Sequence, residues 1–300
     1  MQPNADQAAV LESIGRILQH HRDLPKQGRR SFYDPALDQA LEAGGYYVVA
    51  SEPSLGPITA ALAIDAIARS PAVVECVASM LVAPELPGEV QRPIALVWDI
   101  DEAARFLPVA KTAIVLDGAE AVVVPVGSPP AALQSSLAYP YARLPQEADL
   151  RTGQRLSAEV TERVLARWRA GLAIEMGAAM AAATDFTVAY VTQRRQFGRP
   201  IGSFQAVQHR LAQAAVHAEG ARWLGLEAAW TGDGGEAALA ALYAQLHGPA
   251  LVNDLHQFNG AIGVTLDHGL HYWTYRLVGL QSELGGVTGQ GRAATSLAWA

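Results

Sequence analysis

From Ser157 to the end, the sequence reads as four alanine-rich helical stretches with only three short breaks. The stretches cover 159–193, 204–230, 236–258 and 268–284, and the breaks fall at Gly198/Pro200, at Gly232-Asp233-Gly234-Gly235 and at Gly260/Gly263. Apolar residues recur at helical intervals through each stretch, and loops this short return each helix antiparallel beside its predecessor. The second half of the chain is therefore expected to fold as a four-helix bundle.

The first half has two textures. Over 8–86 the pattern is helical: Ile14, Ile17 and Leu18 share one face, Asp34-Pro35 supplies a cap and a first-turn proline, and Leu55-Gly56-Pro57 opens a helix carrying Ile58, Leu62, Ile64 and Ile67. Pro84, Pro87 and Pro93 end it. Then come short β-branched runs at 94–98, 113–116 and 121–126, bounded by Asp, Gly and Pro, with Asp117-Gly118 as a hairpin signal. The expected fold is α+β and mostly α: an N-terminal helical domain (1–92), a small middle β domain (93–152) and the C-terminal bundle (153–300). Gly286-Val287-Thr288-Gly289-Gln290-Gly291 follows a helix, not a strand, so it is a poor dinucleotide fingerprint and reads as a flexible tail.

Composition excludes several functions. A formal net charge of −7 argues against a nucleic-acid partner. The single cysteine, Cys76, rules out an internal disulfide and reads as a buried inert thiol. His268 and His271 share a helical face, but no third ligand is evident, so no metal is expected. No uninterrupted apolar run approaches the ~20 residues of a membrane span. The first six residues show no basic stretch leading into an apolar core, and a cytoplasmic protein is expected.

The chemistry concentrates at the first bundle corner, Arg194-Arg195-Gln196-Phe197-Gly198-Arg199-Pro200-Ile201-Gly202-Ser203-Phe204-Gln205, in a chain only 17% charged. Arg194 can present a fork of donors to phosphate oxygens, Phe197 offers a flat face for an aromatic base, and Gln196 and Gln205 offer amide edges. The simpler reading is a solvated helix end that suits the dipole, with Phe197 and Phe204 stapling the turn. A second cluster, Gln257-Phe258-Asn259-Gly260-Ala261-Ile262-Gly263-Val264, has glycines that let backbone amides approach a phosphate, or that simply end a helix.

Together the two clusters resemble the acyl-CoA dehydrogenase family, and the three-part order of elements matches that family's plan. The resemblance is specific in the last half and loose in the first. It implies that Arg194, Gln196, Phe197, Gln205, Gln257, Gly260 and Gly263 contact an FAD shared at a subunit interface. It also implies an acyl-CoA substrate and an electron-transfer flavoprotein as electron acceptor. Two departures matter. The family's Thr-Glu-Pro-Gly-x-Gly-Ser-type loop, which holds the flavin ring, has no counterpart in 93–150, where Asp99-Ile100-Asp101-Glu102-Ala103-Ala104 stands in the corresponding area. Where some relatives have a catalytic Glu after the glycine loop, this chain has Asp267, about 1.5 Å shorter in reach; misplacement on that scale can cost ~10²-fold. Asp267 equally suits a helix N-cap, Glu283 a solvated helix end, and Glu175 a helix–helix or subunit contact.

The resemblance is accordingly to the short, degenerate subunit of bacterial α2β2 heterotetrameric acyl-CoA dehydrogenases, several of which act on bulky steroid-type CoA esters. It implies a second acyl-CoA dehydrogenase-like chain as partner. Two alternatives stay open: a self-sufficient homo-oligomer using Asp267 as base, and a flavin-free scaffold.

Overall fold

A computed structural model describes residues 3–21, 31–135, 137–145 and 150–298. The segments 22–30 and 146–149 of the first two expected domains, and the first two residues of the leader reading, lie outside the described residues. The N-terminal region packs three helices, α1 (Ala5–His20), α2 (Pro35–Ala43) and α3 (Gly56–Arg69). Asn4 and Gln7 exchange side-chain and backbone hydrogen bonds at 2.9 Å, a reciprocal cap for α1. Asp34 accepts from Ala36 and Leu37 to cap α2, with Pro35 in the first turn. Their apolar faces meet Ala166, Ala170 and Ile174 of the bundle, so this region is seated directly on it.

The β region carries β1 (Ile94–Val97), β2 (Ala103–Arg105), β3 (Thr112–Asp117), β4 (Glu120–Pro125), β5 (Tyr141–Arg143) and β6 (Gln154–Arg155). Four strands form a sheet of order β1-β3-β4-β6, with β1 parallel to β3 and the other neighbours antiparallel. The hairpin expected at Asp117-Gly118 is there: Asp117 pairs with Glu120 across a two-residue turn in which Gly118 has φ +67°. β2 and β5 make a separate antiparallel pair that lies between the sheet and the bundle. All four β1 residues are buried, because apolar clusters cover both faces of this sheet.

The bundle is α4 (Ala158–Gln193), a short hairpin of β7 (Arg195–Gln196) and β8 (Arg199–Pro200), then α5 (Gln205–Thr231), α6 (Gly234–Asn259), α7 (His271–Leu280) and α8 (Gly286–Ala298). Alanine and glycine let the axes approach closely. A Cβ on Gly177 would sit 2.7 Å from the Arg222 backbone nitrogen, and one on Gly225 3.0 Å from that of Ile174. α4 is long and apolar enough to cross a membrane, yet 72% of its most apolar window is buried, as the core helix of the bundle.

The last helical stretch corrects the sequence reading. It holds one α-helix, α7, which ends at Leu280, and the chain then bends through a Leu284 of φ +55° into a further helix, α8, beyond the expected stretch. The expected flexible tail at 286–291 is the first half of α8, and Gln290 within it is completely buried. Glycine content suggested mobility there; packing against α6 overrides it.

Candidate functional site

The corner after α4 is built by backbone strain and exposed side chains. Arg194 leaves the helix with extended backbone (φ −67°, ψ 120°), and its carbonyl accepts from Ile201 N–H at 2.8 Å. Gln196 pairs with Arg199 across a two-residue turn, Phe197-Gly198, in which both residues have positive φ (+53° and +78°). That is the backbone of the hairpin turn that matches strand twist, but a phenylalanine is a costly occupant of its first position. The Phe197 ring is nevertheless 90% exposed, touching Phe204 edge-on with centroids 6.2 Å apart. The expected staple is thus present but leaves the ring's faces open.

The cations of this corner differ in commitment. Arg195 donates to the Gly198 carbonyl at 3.1 Å, and the Arg199 guanidinium lies 4.0 Å over the Phe204 ring. Among the described residues the Arg194 guanidinium makes no hydrogen bond or ion pair, and Gln196 and Gln205 are exposed beside it. A 470 Å³ groove walled by Val188, Val191, Pro200 and Leu211 runs beside the hairpin. The set suits an anionic ligand with an aromatic head: an uncommitted fork, an open ring face, amide edges and an apolar groove.

The second glycine cluster lies at the same end of the bundle, because α6 runs antiparallel to α5. Arg210 of α5 binds Asp254 of α6 through both guanidinium and carboxylate edges, with Nε to Oδ2 at 2.8 Å, and its guanidinium lies 5.6 Å from the Phe258 ring. Gln257 is exposed in the last turn of α6. Gly260 has φ +63° and ψ −150°, a conformation open only to glycine. Gly263 is buried, and a Cβ there would fall 2.6 Å from the Asn259 Cβ. Both glycines are required by the turn itself, which brings the exposed Ile262 and Val264 to the surface.

Asp267 is exposed in the turn that follows. It is not the N-cap that its position suggested, since α7 starts at His271 with Leu270 before it. Its neighbour His268 hydrogen-bonds Asn259 Oδ1 at 2.6 Å and packs its ring on Phe186 and Tyr190. Burial, then the nearby His271 and His256, lower the His268 pKa. Among the described residues no group of three or more His, Cys, Asp or Glu is arranged to hold a metal ion.

The cleft between the β region and the bundle is filled. Arg105 of β2 is buried between two carboxylates, with Nη1 2.8 Å from Glu175 Oε2 and Nε 2.8 Å from Glu283 Oε2. Tyr139 donates to Glu175 Oε1 at 2.8 Å, and Trp168 Nε1–H donates to Glu283. Burial opposes the Arg105 charge, but Glu175 and Glu283 outweigh it and hold its pKa well above the ordinary value. Burial, reinforced by Glu175, raises that of Tyr139. Among the described residues, cavities of about 10 and 30 Å³ lie against Arg105, the larger beside Trp98 and Glu283. Cofactor pockets begin near ~300 Å³.

Two sequence expectations fall here. Glu283 is buried and ion-paired, not solvated, because the chain turns inward after α7. Glu175 contacts β2 and Tyr139, not another helix or a subunit surface. Arg105 and Tyr139 were missed altogether: a lone Arg in a short strand and a Tyr in a loop carry no spacing that predicts a partner tens of residues away.

Comparison with known proteins fits this architecture. The family "Acyl-CoA dehydrogenase, C-terminal domain" matches residues 158–290, from the start of α4 into α8. Acyl-CoA dehydrogenase IpdE2 of Mycolicibacterium smegmatis is 37% identical over 114 residues, 38% of this chain and 37% of that protein. The probable acyl-CoA dehydrogenase YngJ of Bacillus subtilis is 39% identical over 103 residues, 33% of this chain and 27% of that protein. The match therefore spans little more than a third of these relatives' length, or less. Among solved structures, the ChsE4-ChsE5 complex from Mycobacterium tuberculosis has a chain of TM-score 0.79 and 22% identity, covering 98% of this chain and 97% of that one. The Tcur3481-Tcur3483 steroid ACAD variant gives TM-score 0.78 at 20% identity with 98% of each chain covered, and the FAD complex of PigA 0.76 at 16%, with 99% and 98% covered. Residues 158–290 thus match the acyl-CoA dehydrogenase C-terminal domain, and the chain as a whole shares the fold of these solved structures.

Proposed function

We propose that this chain is one subunit of an FAD-dependent acyl-CoA dehydrogenase, acting with a second, related chain whose FAD site it completes. One contrast carries the reading: the bundle corner is open to solvent while the chain's own interior cleft is closed by Arg105, Glu175 and Glu283. In this reading the residues at the corner fit the adenine and diphosphate end of FAD. Arg194 pairs with phosphate, Phe197 lies against the adenine, Gln196, Gln205 and Gln257 meet polar edges, and Gly260 and Gly263 keep the backbone close. The flavin-ring end does not fit the described part of this cleft, where Arg105, Glu175 and Glu283 pair and the cavities against Arg105 measure about 10 and 30 Å³.

The reaction is α,β-dehydrogenation of an acyl-CoA thioester, with proton loss from the α-carbon to a carboxylate. FAD, when bound, supplies the hydride acceptor. The partner provides the base; Asp267 lies exposed in the turn before α7. An electron-transfer flavoprotein takes the electrons onward, and the complex works in the cytoplasm. A bulky, steroid-type acyl group is supported by the steroid ACAD among the structural neighbours. We also propose three domains, 1–92, 93–156 and 157–300, the second boundary moved from the expected 152 because β6 pairs with β4 of the sheet.

The test is co-expression with a neighbouring acyl-CoA dehydrogenase-like chain and a visible spectrum of the purified complex. Arg194→Ala should strip the flavin from a complex that otherwise assembles. Full flavin occupancy in that variant would count against the assignment.

A further inference from the structure

A second pocket lies at the other end of α4. Arg169 and Arg194 are 25 positions apart on or at the end of one helix, about 38 Å at 1.5 Å per residue, so this pocket is remote from the corner. It has a volume of 400 Å³ and is walled by Leu165 and Ala166 of α4, the Gly232–Gly234 turn, and Ala293 and Leu297 of α8. Its polar groups are Arg169 and Ser296, with Glu159, Glu162 and Arg163 toward the start of α4.

Arg169 is the unusual member. Its Nε donates to the side-chain oxygen of the fully buried Gln290 at 3.1 Å, which fixes the plane of the guanidinium. Among the described residues it has no carboxylate partner, and its two terminal nitrogens make no hydrogen bond. The neighbouring cations are committed: Arg163 to Glu85 and Glu159, and Arg167 to Glu85. Glu159 is thereby occupied, and Glu162 is exposed. Burial lowers the Arg169 pKa with no carboxylate to offset it. A half-buried cation held in a fixed orientation at an apolar pocket, with both terminal nitrogens unused, lacks its counter-charge.

We infer that this pocket binds a small amphipathic monocarboxylate, its carboxylate forked onto Arg169 and its apolar body against Leu165, Ala166, Ala293 and Leu297. The Ser296 hydroxyl supplies a further donor. The volume lies within the ~300–1,000 Å³ of small-ligand sites. The inference is independent of the flavin reading, because none of these residues belongs to the corner.

The experiment is calorimetric titration of octanoate into the full chain, with its partner subunit if the two co-purify, alongside octylamine. Octanoate should bind saturably at one site per chain and octylamine should not. Arg169→Gln should weaken octanoate by at least about tenfold, the loss expected for a charged hydrogen-bonded pair. Leu297→Glu, at an exposed position of α8, should abolish binding by placing a carboxylate in the pocket, and it decides the matter if Arg169→Gln does not fold. No saturable binding in the millimolar range would overturn the inference. So would equal binding of octylamine, or undiminished binding in a folded Arg169→Gln or in Leu297→Glu.

Discussion

Arg105 Nε lies 2.8 Å from Oε2 of Glu283, joining a strand of the β region to the turn after α7 through one buried charge pair. Glu175 meets Nη1 of the same guanidinium, so one cation serves two carboxylates. The arrangement ties the β region to the bundle and occupies the space between them at Arg105. A carboxylate engaged in this way is not available as a base toward a substrate carbon.

Breaking that pair should cost stability rather than flavin. Arg105→Ala leaves two buried carboxylates uncompensated, a loss of about 3–5 kcal/mol by analogy with other buried pairs. Urea unfolding should show the loss, while the folded complex of Glu283→Gln keeps the wild-type flavin content. Loss of flavin in a folded Glu283→Gln complex would contradict the closed-cleft reading.

Phe197→Ala should behave in the opposite way. The ring is exposed and its backbone is strained, so removing it should change stability by no more than about 0.5 kcal/mol. If the ring stacks on the adenine, flavin affinity should fall by the equivalent of ~1–3 kcal/mol, as for other base–aromatic stacks. Fluorescence titration of the apo complex with FAD measures this directly.

Asp267→Asn should leave turnover within about twofold, since a true general base contributes ~10²–10⁴. Steady-state kinetics of the complex with an acyl-CoA substrate checks it. A loss of two orders of magnitude would return the base to this chain.

His271 makes stability depend on pH. Burial lowers its pKa against the raising effect of its hydrogen bond with the His268 carbonyl, so the folded chain keeps it neutral. The unfolded chain binds a proton near the ordinary value of ~6.5. The stability contributed by the neutral ring is therefore present above that value and lost as pH falls through it toward the lowered folded value. Denaturant midpoints should drop between about pH 7.5 and 5.5, and His271→Asn should flatten the drop.

Much of the fold was legible because it rests on local rules. The Asp34-Pro35 cap, the Asp117-Gly118 hairpin and the breaks at Gly198, Gly232 and Gly260 each follow from backbone preferences that a short window contains. Cys76 is likewise buried, with its thiol pKa pushed well up by that burial. What failed was tertiary. Glu283 and Glu175 looked like surface or helix–helix residues because the guanidinium that buries them is 178 and 70 positions away. Glycines at 286–291 suggested a tail, yet the buried Gln290 side chain fixes that segment as helix. The corner residues were legible as a group through the family motif, whereas the positive φ of Phe197 is visible only in the fold.

The flavin stoichiometry of the purified proteins tests the central claim most directly. The chain expressed alone should be colourless, and its complex with the partner should carry one FAD per pair of unlike chains, read from absorbance against protein content. A single chain that purifies with one FAD of its own would contradict the account.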